Sequence, residues 1–145
     1  MDDYCAENKC ANPNVKRLPR VHMPQFTRKS VKGLDARMRQ EGYKVRNTRV
    51  SPNKLNPSQL EISQDTAEHI LKKWGATIRS NAARERILVS RDGSILDGHH
   101  RWLALVLAMQ RGILPKTYKA PVHSYSAKGG TTLKIARTMS TPSHA

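Results

Sequence analysis

The sequence predicts an α+β domain, a small mixed sheet packed on one central buried helix with a basic N-terminal arm ahead of it. Three observations carry this. The stretch His99 to Arg111 holds Trp102-Leu103-Ala104-Leu105-Val106-Leu107-Ala108-Met109 with no polar face, and a helix apolar on every side belongs at the centre of a domain. Just upstream, Ile87-Leu88-Val89 and Ile95-Leu96 flank Arg91-Asp92-Gly93, the chemistry of a tight hairpin. Apolar residues make up only 37% of the 145 residues, with a single Phe. The core is therefore modest and aliphatic, there is one domain rather than two, and part of the chain is arm or tail.

Residues 1–42 show little periodicity and contain Pro13, Pro19 and Pro24. They read as a partly disordered arm that gains order on a partner. Within the arm, Gly33 to Gln40 forms a short helix with Leu34 and Met38 on one side. The domain proper spans 43–126. Tyr43 to Val50 alternates weakly as a first strand, and Ser51 to Gln59, with Pro52 and Pro57, is a loop. Ser63 caps a helix whose Ala67, Ile70, Leu71 and Trp74 recur at helical spacing until Gly75 ends it. The hairpin and the buried helix follow, Gly112 ends that helix, and Lys119 to Tyr125 makes the last strand. Residues 127–145 are a basic tail in which Gly129-Gly130 precedes a short helix, Thr132 to Met139.

The charge narrows the partners. Twenty-six Lys and Arg against 11 Asp and Glu leave +15, a field that favours a polyanion such as nucleic acid or a strongly acidic protein. The excess sits on the flanks. Residues 14–49 hold eleven cations against Asp35 and Glu41, residues 61–114 hold eight against six acids, and residues 115–145 hold five against none. Cys5 and Cys10, the only cysteines, have no His nearby and are too few for a closed zinc site. A disulfide is the alternative, but they read most simply as free thiols in a reducing cytoplasm. The longest apolar run, Trp102 to Met109, is far too short to span a membrane, and no signal peptide precedes it.

The chemistry concentrates where a strand runs into Asp97-Gly98 and a helix opens with His99-His100-Arg101. A helix N-terminus offers free N–H groups and partial positive charge. Gly98 admits close approach of a ligand to the backbone. Arg101 supplies a fork of donors matched to phosphate, and two imidazoles can donate or exchange protons near neutral pH. Together these groups make a phosphate cradle. Trp74 and Trp102 lie on apolar faces and read as core rather than as stacking platforms.

The run Ile87-Leu88-Val89-Ser90-Arg91-Asp92-Gly93-Ser94-Ile95-Leu96-Asp97-Gly98-His99-His100-Arg101-Trp102-Leu103-Ala104-Leu105 resembles the central motif of the ParB/sulfiredoxin superfamily. Leu55-Asn56-Pro57-Ser58-Gln59-Leu60-Glu61-Ile62 is similar to the proline-containing loop that enters a helix in ParB-like domains, and the resemblance covers about Val45 to Tyr125. It implies the hairpin, the turn and the buried helix of that fold, together with nucleotide use. Partition proteins of the superfamily bind and hydrolyse CTP as DNA clamps, and others are described as nucleases. Sulfiredoxins use ATP and a Cys at the position held here by His99, so their activity is not implied. Free-serine kinases carry the same Asp-Gly-His-His-Arg and an upstream Glu as base, which Glu61 matches. Met23-Pro24-Gln25 ahead of such a domain is similar to phage-encoded, head-associated members.

Three functions follow as expectations. As an enzyme on phosphates (nucleotide hydrolase, phosphotransferase or nuclease), the chain would use Glu61, Asp97, His99 and His100 in catalysis. Gly98, His99, His100 and Arg101 would hold the phosphates of a nucleoside di- or triphosphate, ATP or CTP, and Asp97 would hold Mg²⁺. As a binding module, it would grip DNA or RNA phosphates through Arg28, Lys29, Lys32, Arg37, Arg39, Lys44, Arg46 and Arg49, alone or as a homodimer. As a phage particle component, it would set its charge against packaged DNA.

Overall fold

The computed structural model describes residues 4–5, 17–19, 23–24 and 26–140, with the side chain of Ser140 left aside. Cys10, Lys16, Arg20, Gln25 and the last five residues of the tail lie outside the described residues. The elements run α1 (Arg28–Gln40), β1 (Val45–Val50), a 3₁₀ turn (Pro52–Lys54), β2 (Asn56–Pro57), α2 (Gln64–Trp74), a 3₁₀ turn (Gly75–Thr77), α3 (Ile78–Arg84), β3 (Ile87–Ser90), β4 (Ser94–Asp97), α4 (His99–Gln110), β5 (Ala120–Tyr125) and α5 (Gly129–Ser140). The strands form one mixed sheet in the order β1-β5-β3-β4-β2. β1 lies antiparallel to β5, β5 parallel to β3, β3 antiparallel to β4 and β4 parallel to β2. The α+β class and mixed sheet are as expected.

The strand alternation sends side chains to two cores. Ile87, Val89, Ile95, Ala120 and Val122 pack with α2, α3 and α4 on one face. Leu88, Leu96 and Tyr125 meet Leu34 and Met38 of α1 and Leu133 and Ala136 of α5 on the other. The sheet is thus covered on both sides, and the second layer comes from segments that read as arm and tail. α1 starts at Arg28, not Gly33, because Thr27 and Ser30 form a reciprocal capping box. α5 starts at Gly129, whose amide donates to Asp92 in the hairpin turn. A Cβ at Gly129 would lie 2.8 Å from the Ser94 Cβ, so this glycine seats the helix against the sheet.

α4 is the centre. From Trp102 to Met109 every side chain is buried, and Trp102 Nε1 donates to the Pro52 carbonyl at 2.8 Å, anchoring the 3₁₀ turn. α1 is pinned across the other face by Asp35, its only acid. The Asp35 carboxylate accepts from the Tyr125 hydroxyl at 2.7 Å and pairs with His123 Nε2 at 2.9 Å, while His123 Nδ1 meets Asn47 Oδ1 at 2.7 Å. Burial, then the Asp35 bond and charge, push the Tyr125 phenol above its ordinary pKa. Cys5 is buried and disulfide-bonded, which corrects the reading of free thiols. No helix among the described residues is long and apolar enough to cross a membrane.

Because Leu103 is fully buried, Leu103→Ala is expected to lower the unfolding free energy by about 2–5 kcal/mol in urea titrations. Ile113→Ala, at a residue 53% exposed, should change it by less than about 0.5 kcal/mol.

Candidate functional site

The turn between β4 and α4 brings Asp97, Gly98, His99, His100 and Arg101 to one cleft of about 220 Å³, whose walls also include Met23, Gln59 and Thr66. Gly98 occupies the N-cap position at φ 93, ψ 30, a left-handed conformation that favours glycine. A Cβ there would stand 2.9 Å from Arg101 Nη2. The space above Gly98, where the motif suggests a ligand, is thus filled by the guanidinium.

Each side chain of the motif ties a different segment to this turn. His99 is buried, and its Nε2 accepts from the amides of Ser58 at 3.0 Å and Gln59 at 3.2 Å. That bond pattern requires the proton on Nδ1. Burial first, then the positive charges of His100, Arg17 and Arg101, lower its pKa to about 3. His99 therefore departs from the expectation that it exchanges a proton near neutral pH or meets a phosphate as a cation. It is a neutral acceptor holding the β2–α2 loop. His100 Nε2 accepts from the Ser63 amide at 3.0 Å, fixing the N-cap of α2. Arg101 donates through Nη1 to the carbonyls of Glu85 at 2.6 Å and Arg86 at 3.3 Å, and through Nη2 to Asp97 Oδ2 at 3.1 Å. It closes the α3–β3 junction.

Some capacity remains. The helix has no side-chain cap, and the amides of His99 and Arg101 have no acceptor among the described residues. Arg101 keeps its Nε–H and one Nη2 hydrogen. Asp97 is half-buried, and burial raises its pKa despite the opposing pull of Arg101 and a bond from the Gly98 amide. Among the described residues no cluster of three or more His, Cys, Asp or Glu exists that could hold a metal. Asp97, with one oxygen committed to Arg101, fits Mg²⁺ only as a single ligand beside phosphate oxygens and water.

Glu61 stands apart. It is the one described non-glycine residue with positive φ, at 61, it has no hydrogen-bond or ion-pair partner among the described residues, and it is not in the cleft wall. Gln59 and Thr66, which are in it, escape sequence reasoning because neither residue type marks a site by spacing alone. The basic residues are all exposed, but they divide. Arg28, Lys29, Lys32, Arg37 and Arg39 lie on α1. Lys44 and Arg46 line a groove with residues of β3 and its turn, and Arg49 donates to the Lys119 carbonyl. No family model, curated protein or solved structure matches the chain.

The His99 shift sets a pH dependence. In the unfolded chain the imidazole takes a proton near 6.5, in the fold only near 3. Between these values the unfolded state binds the extra proton, so this contribution is complete above about pH 6.5 and declines toward pH 3 by up to about 1.4 kcal/mol per unit. Urea titrations from pH 7 to 4.5 should show that slope in the wild type, and His99→Gln should flatten it by close to one proton.

Proposed function

We propose that the chain binds a nucleoside di- or triphosphate through its phosphates at the Asp97–Arg101 cleft, and contacts nucleic acid through its basic surface. The observation that carries this is the uncapped first turn of α4, with Arg101 donors to spare, opening on a cleft of about 220 Å³. Such a volume is below the roughly 300–1,000 Å³ of sites that enclose a whole organic ligand. It suits one or two phosphoryl groups, with base and ribose outside. The backbone amides of His99 and Arg101, the free Arg101 hydrogens, the Thr66 hydroxyl and the Gln59 side-chain amide would be the donors, and Mg²⁺ would come with the nucleotide against Asp97. The Asp-Gly-His-His-Arg motif and its place between a hairpin and a buried helix support the ParB/sulfiredoxin-like reading.

Binding comes before chemistry in this cleft. Hydrolase, phosphotransferase or nuclease activity needs a base at the phosphates, and Glu61 lies off the cleft wall. A second reading has a specific observation behind it. Both histidine rings and the Nη1 group of Arg101 bond backbone, as expected if the motif serves as architecture in a non-catalytic nucleic-acid-binding protein, including one carried in a phage particle.

Calorimetric titration with ATP, CTP, ADP and GTP, each with Mg²⁺, separates the two. The first reading expects micromolar binding of at least one nucleotide. Arg101→Ala should abolish it, with thermal unfolding measured alongside because Arg101 also holds Glu85 and Arg86. Thr66→Val, at an exposed helical position, should weaken it by roughly tenfold, the loss of one hydrogen bond to a charged group. No binding of any nucleotide by the wild type at millimolar concentration would overturn the cleft assignment.

A further inference from the structure

The β3–β4 hairpin has two ends. Asp97 at one end belongs to the cleft, and at the other the Arg91–Gly93 turn borders a second, larger depression. On the sheet face opposite α1, beside the helices packed there, a groove of about 630 Å³ opens around Arg46 and Ser124, and among the described residues no α-helical one lines it. Four cations line it: Lys44 and Arg46 beside and within β1, Lys54 at the end of the 3₁₀ turn, and Arg91 in the hairpin turn. All four are exposed, and none has a carboxylate partner among the described residues. The one acid in the lining, Asp92, is already engaged. It accepts from the Ser90 hydroxyl and from the amides of Ser94 and Gly129. The groove thus holds positive charge that the protein does not neutralise.

Hydroxyl donors lie among these cations. Arg46 sits directly opposite Ser124 in the antiparallel β1–β5 ladder, and Thr48 is the next residue of β1 on the same face. Neither hydroxyl has a hydrogen-bond partner among the described residues. Lys44 and Arg46, two residues apart in extended chain, are about 7 Å apart along the strand, the interval on which phosphates recur in an extended nucleic-acid strand. A concave groove admits a single strand, whereas a duplex would rest on its rim. The only aromatic residue in the lining is Tyr125, which is fully buried with its hydroxyl given to Asp35. Base stacking is therefore absent from this surface, and phosphate contacts carry no sequence information.

We propose that the groove between β1, β5 and the β3–β4 turn binds the phosphate backbone of single-stranded nucleic acid without regard to base sequence. This deepens the nucleic-acid contact proposed above by naming the surface and the form of the partner, and it brings in Lys54 and Arg91. It does not depend on the nucleotide cleft.

Two charge-matched variants of the full chain test it by fluorescence anisotropy with a labelled oligothymidylate and a labelled mixed-sequence strand. Arg46→Glu/Lys54→Glu/Arg91→Glu changes the groove, and Arg28→Glu/Lys29→Glu/Lys32→Glu changes α1 by the same net charge. All six positions are exposed, and circular dichroism checks that both variants are folded. The groove variant should bind both strands at least about tenfold more weakly, and the slope of log affinity against log salt should fall by about 0.7 for each phosphate that the variant no longer neutralises. The α1 variant should change affinity by less than about threefold, since charges beyond a Debye length are screened. A duplex of the same sequence should compete more weakly than the single strand. Equal weakening in the two variants, an unaffected groove variant, or equal competition by poly-L-glutamate would each overturn the proposal, the last in favour of an acidic protein partner. Magnesium-nucleotide titration of the groove variant distinguishes the two sites. Retained nucleotide binding with abolished strand binding leaves the cleft standing, and strand binding that survives Thr66→Val leaves the groove standing without it.

Discussion

The buried imidazole of His99 is the contact on which the rest of the structure depends. A neutral ring with its Nε2 aimed at the amides of Ser58 and Gln59 satisfies two backbone donors that would otherwise be buried without partners, a cost of about 1–3 kcal/mol each. It also fixes where the β2–α2 loop crosses the start of α4. His100 extends the grip to the N-cap of α2, and Arg101 extends it backward to the end of α3. Three consecutive side chains thus join four elements around one glycine whose left-handed conformation turns the chain from β4 into α4. A motif that reads as a ligand cradle is also the knot of the fold. The groups it ties to backbone and the groups it leaves open to the cleft belong to the same residues.

Electrostatics divide the molecule more sharply than its layers do. Half of the eight described acids are spent on structure: Asp35 on α1, Asp92 on the start of α5, Asp97 on Arg101, and Glu68 on Arg111 across the α2–α4 contact. Burial raises the Asp92 carboxyl, yet the bonds from Ser90, Gly129 and Ser94 outweigh it and hold the group below the usual carboxylate range. Of these four, Glu68 alone pairs with an exposed cation, so most of the surface charge stays unneutralised. The +15 chain accordingly carries exposed cations on many elements, and two of the groups are the outer side of α1 and the groove on the opposite face of the sheet. A single basic stretch of sequence, from Arg28 to Arg49, feeds both because the chain turns between α1 and β1.

Much of the fold was legible because its signals are local. The Arg91-Asp92-Gly93 turn between apolar runs, Ser63 capping α2, Gly75 ending it, and the unbroken apolar run of α4 each act within a few residues, and each element lies close to where its pattern places it. Other parts were not legible. The first turn of α1 has no apolar residue before Val31, and its capping box uses Ser30 in place of an acidic residue or glutamine. α3 is only seven residues long, with Ile78 and Ala82 as its buried side. Gly129-Gly130 looks like a break but serves as a helix start, because Ser94 leaves no room for a side chain at Gly129.

By itself, the sequence determined the α+β class, the hairpin, the central helix, the basic excess and the turn where polar groups crowd an apolar helix, because each depends on neighbours in the chain. The tertiary structure alone decided what those polar groups do. His99 meets amides 40 and 41 residues away, which makes it a buried acceptor instead of a proton carrier. Arg101 folds over Gly98 onto carbonyls 15 and 16 residues back. Lys54 and Arg91 join Lys44 and Arg46 only because the sheet places β1 and the hairpin turn on one groove. Burial and partnership are properties of packing, and no spacing within a single segment encodes them.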